Sequence, residues 1–188
     1  ANTDPAATGT ATATGCGTIT ISHSNTSATT CGNASTITRT WTANNGSTTA
    51  SCMQTINVID TTGPALSGVP NNATVQCNAL PPAASVTALD ACQGNIPVTL
   101  TDTRVAGLCP GTYVLTRTWT ATDGCGNSTS ASQDVSVMDT IAPVLVGVPT
   151  DVSAECDAVP LPATVTASDT CAVTVPVTFV ETQTNGTC

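Results

Sequence analysis

The chain has 188 residues, ten of them cysteine, with no lysine, three arginines and twelve acidic side chains, for a net charge of −9. So acidic a chain excludes nucleic-acid binding, which needs basic side chains to displace counterions, and argues against anionic membranes. One Phe, one Tyr and two Trp leave Ala, Val, Ile and Leu to build a thin core, so the cysteines are expected to supply stability as a disulfide framework in an oxidising, extracellular setting.

The first strand pattern in chain order lies at residues 36–43. Ile37, Arg39, Trp41 and Ala43 share one face, and Thr36, Thr38, Thr40 and Thr42 share the other. Strict alternation of this kind predicts a half-buried strand with Trp inward and a threonine ladder outward. The arginine on the Trp face is expected to lay its stem on apolar surface and stack on the ring. The segment ANNGS (43–47) then reads as a hairpin turn. VIDTTGP follows, with Asp60 at its head and a short proline-containing linker behind it.

The next stretch predicts strands at 72–77, 83–89, 96–104, 111–122 and 127–138. Pro81 and Pro82 break the chain after the first of them, and DGCGN (123–127) turns between the last two. Tyr113, Leu115, Arg117, Trp119 and Ala121 repeat the Trp-face pattern. Several short strands with turns at this spacing indicate a two-sheet sandwich.

From there the chain repeats itself. VPNNATVQCNALPPAASVTALDAC (69–92) returns as VPTDVSAECDAVPLPATVTASDTC (148–171), 79 residues later. Cys77, Cys92 and Cys109 return as Cys156, Cys171 and Cys188, Asp60 as Asp139, and TRTWTA at 38–43 as 116–121, an offset of 78. A period this long is a small domain in series rather than a solenoid turn. The expected organisation is a repeat lacking its first strand at 1–60, a complete repeat at 61–139 and the first half of a third at 140–188. Exposed edges on part-domains invite strand donation, so the expected partner is the chain itself, head-to-tail in a filament, or adjacent repeats of a longer chain.

RTWTATDGCGN followed by a strand and VMDTIAP resembles the hyalin-type and bacterial immunoglobulin-like repeats of large cell-surface and adhesin proteins, many from gliding or biofilm-forming bacteria. The resemblance covers essentially the whole chain. Repeat one departs from it: its turn is NNGS with no cysteine, and Cys52 lies further along the last strand. The resemblance implies an all-β chain of tandem immunoglobulin-like (fibronectin III-like) sandwich modules serving as a stalk, adhesin or fibre.

On an immunoglobulin-like path, Cys77 and Cys109 fall at one end of the sandwich and Cys92 and Cys125 at the other. Bonds join residues at the same end. The expected pairs are therefore Cys77 with Cys109, Cys92 with Cys125, Cys156 with Cys188, and Cys16 with Cys52. Cys31 and Cys171 are left over. The rival set joins Cys92 to Cys109 and Cys77 to Cys125, leaving Cys52 and Cys156 to bond between successive molecules.

Calcium is the candidate metal. Asp60 and Asp139 stand at the repeat junctions and Asp90, Asp123 and Asp169 in loops, where carboxylates suit a hard cation; the same residues serve equally as turn formers. Covalent glycans are the other candidate. N-x-S/T sequons stand at Asn25, Asn33, Asn45, Asn72, Asn127 and Asn185, and the resemblance implies O-glycosylation at Thr61, Thr140 and Thr170. Zinc would want closely spaced cysteine pairs, and none is present.

Catalysis is not expected. His23 is the single histidine, in the polar stretch SHSNTS, and Glu155 and Glu181, the only glutamates, form no recognisable acid–base pair. The leading expectation is a structural module of an extracellular filament or cell-surface stalk, without a cofactor other than calcium and without membrane insertion. The alternative is an adhesin segment binding a glycan or a host or matrix protein through its loops.

Overall fold

The computed structural model describes residues 2–155, 157–172 and 174–184. Among the described residues the chain is all-β, with one short helix. In order, the elements are α1 (Pro5–Thr8), β1 (Thr20–Thr29), β2 (Ser35–Asn44), β3 (Thr49–Val58), β4 (Ala65–Ser67), β5 (Ala73–Gln76) and β6 (Thr87–Asp90). They continue with β7 (Gly94–Ile96), β8 (Val98–Ala106), β9 (Tyr113–Thr122), β10 (Ser128–Met138), β11 (Val144–Val146) and β12 (Thr166–Ser168).

Strands β1, β2 and β3 form an antiparallel meander, with Trp41 opposite His23 on one side and Cys52 on the other. The β2–β3 turn closes on the side chain of Asn45, whose oxygen accepts from the amides of Ser47 and Thr48. Gly46 sits there at φ +89°, a conformation that favours glycine. Arg39 is almost fully buried, at 1 % exposure, and its guanidinium lies 5.8 Å from the centre of the Trp41 ring, the stacking expected of it.

A second sheet runs β5-β10-β9-β8, with β5 parallel to β10, and a third runs β4-β6-β7. The alternation expected for residues 113–121 is present: Leu115, Arg117, Trp119 and Ala121 are buried, and the intervening residues are more open. The cores are small, as the lack of aromatics requires. Ala88, Ile96 and Ala121 pack with Leu66 and Val98. Separately, Leu115, Val135 and Val137 pack with Val75, Cys77 and Tyr113.

The strand expected at 83–89 begins only at Thr87. Pro81 and Pro82 have no amide to give a ladder, and their carbonyls instead receive the Arg117 guanidinium. Strands β4 and β7, of three residues each, have too few positions to show an alternation and were not expected. Strands β11 and β12 pair in the register that β4 and β6 use 79 positions earlier: Val144 faces Ser168 as Ala65 faces Leu89.

Contacts gather the chain into two compact units. Unit 1 comprises Ala1–Val69, Ser85–Leu100 and Trp119–Ala131; unit 2 comprises Pro70–Ala84, Thr101–Thr118 and Ser132–Cys188. Each unit contains one junction between successive sequence repeats, and a disulfide crosses each junction.

Candidate functional site at the repeat junctions

In unit 1 the tight β1–β2 turn is closed by Ala34, which donates its amide to the carbonyl of Cys31 (2.7 Å). This presents Cys31 to the β9–β10 turn, where the two cysteines bond with Cα atoms 4.8 Å apart. The second turn is held by Asp123. Its Oδ1 accepts from the amides of Cys125 (2.8 Å) and Asn127 (2.9 Å), and its Oδ2 from the Asn127 side chain (2.8 Å). Burial opposes ionisation of Asp123. The hydrogen bonds from Asn127, Cys125 and Gly126 outweigh it and hold the carboxyl below its ordinary value.

Gln93 locks the same junction: its side-chain oxygen accepts from the amide of Gly124. A Cβ on Gly32 would stand 3.0 Å from that oxygen, and one on Gly124 would stand 3.0 Å from the Gly32 nitrogen, so side chains are excluded where the two turns meet. Asn33 donates to the carbonyl of Cys92, and Asn127 to the carbonyl of Asp60 (3.3 Å).

In unit 2, Cys77 bonds Cys171 with Cα atoms 5.7 Å apart. Gly111, at φ +77°, lies so close that an added Cβ would meet the Cys171 carbonyl oxygen at 2.5 Å. Gln76 reaches Thr140, donating to its hydroxyl and accepting from its amide.

These bonds correct the expected pairing. Cys125 pairs with Cys31, not Cys92, and Cys77 pairs with Cys171, not Cys109. The two residues left without partners on the immunoglobulin-like path, Cys31 and Cys171, are both bonded. Cys16 and Cys52, expected to join, are exposed free thiols, as are Cys92 and Cys109, so the rival set fails too. The physical reason is that the turn carrying Cys31 meets the turn carrying Cys125, and Cys77 meets the loop carrying Cys171, so each bond forms between neighbouring repeats. Cys156 and Cys188 lie outside the described residues.

The junction carboxylates come together as equivalents 79 residues apart. Asp60, Asp90 and Cys92 place one candidate ligand atom each within 4.8 Å of one another, and so do Asp139, Asp169 and Cys171. Asp90 Oδ1 accepts from the amides of Cys92 and Gln93, as Asp169 Oδ1 does from Cys171 and Ala172. Asp60 and Asp139 each accept from the amide two residues on. All four therefore act as turn formers. Asp123 belongs to neither cluster. Two carboxylates, beside a sulfur that in Cys171 is already in a disulfide, fall short of the six to eight oxygens calcium takes. Desolvation, reinforced by the charges of Asp60 and Asp90, raises the Cys92 thiol above its ordinary value of 9.0.

Of the candidate glycan positions, Thr61, Thr140, Thr170, Asn25, Asn33, Asn45 and Asn72 are exposed. Several of these side chains are already engaged: Asn25 accepts from Arg39, Asn45 from its own turn, and Asn72 from the amide of Asp134. Asn127 is half-buried with its amide nitrogen in use, which leaves it poorly placed for a glycan. Asn185 lies outside the described residues. Gln93, Gly32 and Gly111 were not singled out from the sequence; Asn33 was named there only as a glycan position and Gly124 only as part of the DGCGN turn.

No protein-family model matches the chain, and no curated protein sequence matches it. The two disulfides belong to an oxidising setting such as the extracellular space. Among the described residues, no helix is long and apolar enough to cross a membrane.

Proposed function

We propose that this chain is a structural module of an extracellular filament or cell-surface stalk, built from tandem immunoglobulin-like β-sandwich repeats. The observation that carries the reading is where the disulfides fall. Each joins one sequence repeat to the next instead of closing a repeat on itself. A binding module needs a stable loop scaffold and gains nothing from stapling its neighbours. A load-bearing array gains a junction that neither hinges freely nor slips.

The packing around the bonds supports the same reading. Glycines allow the turns to approach, Gln93 and Asn33 tie them by hydrogen bonds, and a short proline-containing linker runs beside them. The test is electron microscopy of non-reduced and reduced material. The reading expects filaments, or long array segments, with an axial repeat of one or two modules that become more flexible on reduction. Separate particles with no ordered association, unchanged by reduction, would reject it.

A further inference from the structure

The β2–β3 turn repeats, with an amide in place of an acid, the turn that carries Cys125. The Asn45 amide donates to the carbonyl of Thr48 (3.2 Å) as the Asp123 amide donates to that of Asn127 (3.0 Å). Asn45 Oδ1 accepts from the amides of Ser47 (3.0 Å) and Thr48 (2.9 Å). Asp123 Oδ1 accepts from the amides of Cys125 (2.8 Å) and Asn127 (2.9 Å). Asn45 therefore occupies in repeat one the place that Asp123 holds in repeat two. A carboxylate gains more from such donors than a neutral amide oxygen does. In the second turn they help to hold the Asp123 carboxyl below its ordinary value. The first turn offers the same seat to a residue that lacks the charge.

Gly46 comes next, and among the described residues Asn45 is the one asparagine that glycine follows. The Asn45 side chain reaches forward past Gly46 to the amides of residues 47 and 48, which lays its Cγ over the Gly46 peptide. Gly46 is exposed, and an added Cβ would meet nothing within 4 Å. Its amide donates to the side chain of exposed Asn44 (2.7 Å), a partner that water can replace. The corresponding glycine is pinned. Gly124 donates its amide to Gln93 Oε1, and a Cβ there would stand 3.0 Å from the Gly32 nitrogen. The acid-shaped seat and the unrestrained glycine are separate observations, and both point to one reaction.

We propose that Asn45 is a self-modifying site, at which the Gly46 nitrogen displaces the side-chain amide and the turn keeps the carboxylate that results. Hydroxide takes the Gly46 amide proton. The nitrogen attacks Asn45 Cγ, and negative charge moves onto Oδ1, where the Ser47 and Thr48 amides and the Thr48 hydroxyl (3.2 Å) already converge. The Cγ–Nδ2 bond then breaks, and the nitrogen leaves as ammonia with a proton from water. A succinimide ring remains. Water opening it at Cγ gives aspartate and restores the backbone; opening at the main-chain carbonyl gives isoaspartate, with an extra methylene in the backbone. Only the first product keeps the geometry of the bond from the Asn45 amide to Thr48, so the turn selects it. One water is consumed, one ammonia is released and nothing is oxidised. The net charge of −9 becomes one unit more negative. Asn45 also heads the sequon N-G-S, and a glycan on Nδ2 would block the displacement. The inference is independent of the filament reading.

The test incubates the folded, non-reduced chain in heavy-oxygen water at mildly alkaline pH, beside the same chain unfolded in urea. Mass spectrometry of peptic peptides, with electron-transfer fragmentation to separate aspartate from isoaspartate, reads every asparagine. Heavy oxygen should enter the folded chain at Asn45 before any other described asparagine, with aspartate in excess there and isoaspartate in excess in the unfolded chain. N45Q, which would have to close a larger ring, should take up none. N45D should unfold at a urea concentration no lower than wild type near neutrality. Asn45 still an amide in the folded chain after the unfolded chain has converted, isoaspartate in excess from the folded chain, or a glycan filling the position would overturn the proposal. So would an N45D midpoint below that of wild type.

Discussion

Replacing Cys31 by serine removes the bond to Cys125, which closes a loop of 94 residues. In the chain-entropy description such a loop is worth about 4.7 kcal/mol at 25 °C, and measured values for disulfides more commonly fall at about 2–4 kcal/mol. A stability loss of about 2–5 kcal/mol is therefore expected for C31S, and the same loss for C125S. The two disulfide loops overlap, so each bond closes a shorter effective loop while the other is intact, and removing both should cost somewhat more than twice as much as removing one. The assay is urea unfolding of non-reduced protein, with midpoint and slope compared across C31S, C92S and C125S. Magnitude alone does not separate this arrangement from a bond between Cys92 and Cys125, whose loop is shorter but of similar entropy. The pattern does. A C31S variant within about 0.5 kcal/mol of wild type, together with a C92S variant that loses several, would refute the inter-repeat bond.

Three further outcomes are expected. Arg117→Met leaves the carbonyls of Pro81 and Pro82 without their charged donor and should cost about 1.5–3 kcal/mol in urea unfolding. Its 3.9 Å pairing with half-exposed Asp102 adds little, so D102N should stay within about 1 kcal/mol of wild type. Because Asp123 titrates below its ordinary 3.8, its turn contributes fully above that pH and loses the contribution as pH falls through the lowered value. The stability gap between wild type and D123N should accordingly be constant near neutrality and shrink in acid. Cys92 should reach half-maximal alkylation by iodoacetamide only above pH 9.0, and D60N should move that midpoint down, as peptide mapping across a pH series would show.

The strand carrying Trp119 was legible because burial on one face writes a period of two directly into the residues, and the β9–β10 turn was legible in DGCGN. The late start of β6 was half-legible: the two prolines announced a break, but only the buried Arg117 explains how far it extends. The disulfides were not legible. Strand direction within one repeat places a cysteine at an end of a sandwich, but which loops of the next repeat face that end depends on how successive repeats dock. Docking leaves no periodic mark on a single sequence. For the same reason Asp60 and Asp90 could be brought to one neighbourhood by repeat logic, while the role of Gln93 as a lock could not be read at all.

The overlap of the two disulfides has a consequence for damage. Between Cys31 and Cys171 there are three direct covalent routes. One follows residues 31–77 and crosses at Cys77; another crosses at once to Cys125 and follows residues 125–171; the third crosses to Cys125, runs back along 77–125 and crosses again at Cys77. A pull applied across this region divides between three strands of nearly equal length. A single backbone cut anywhere between the outer cysteines leaves two of the strands whole, so a protease must cleave three times, once on each strand, before the chain parts.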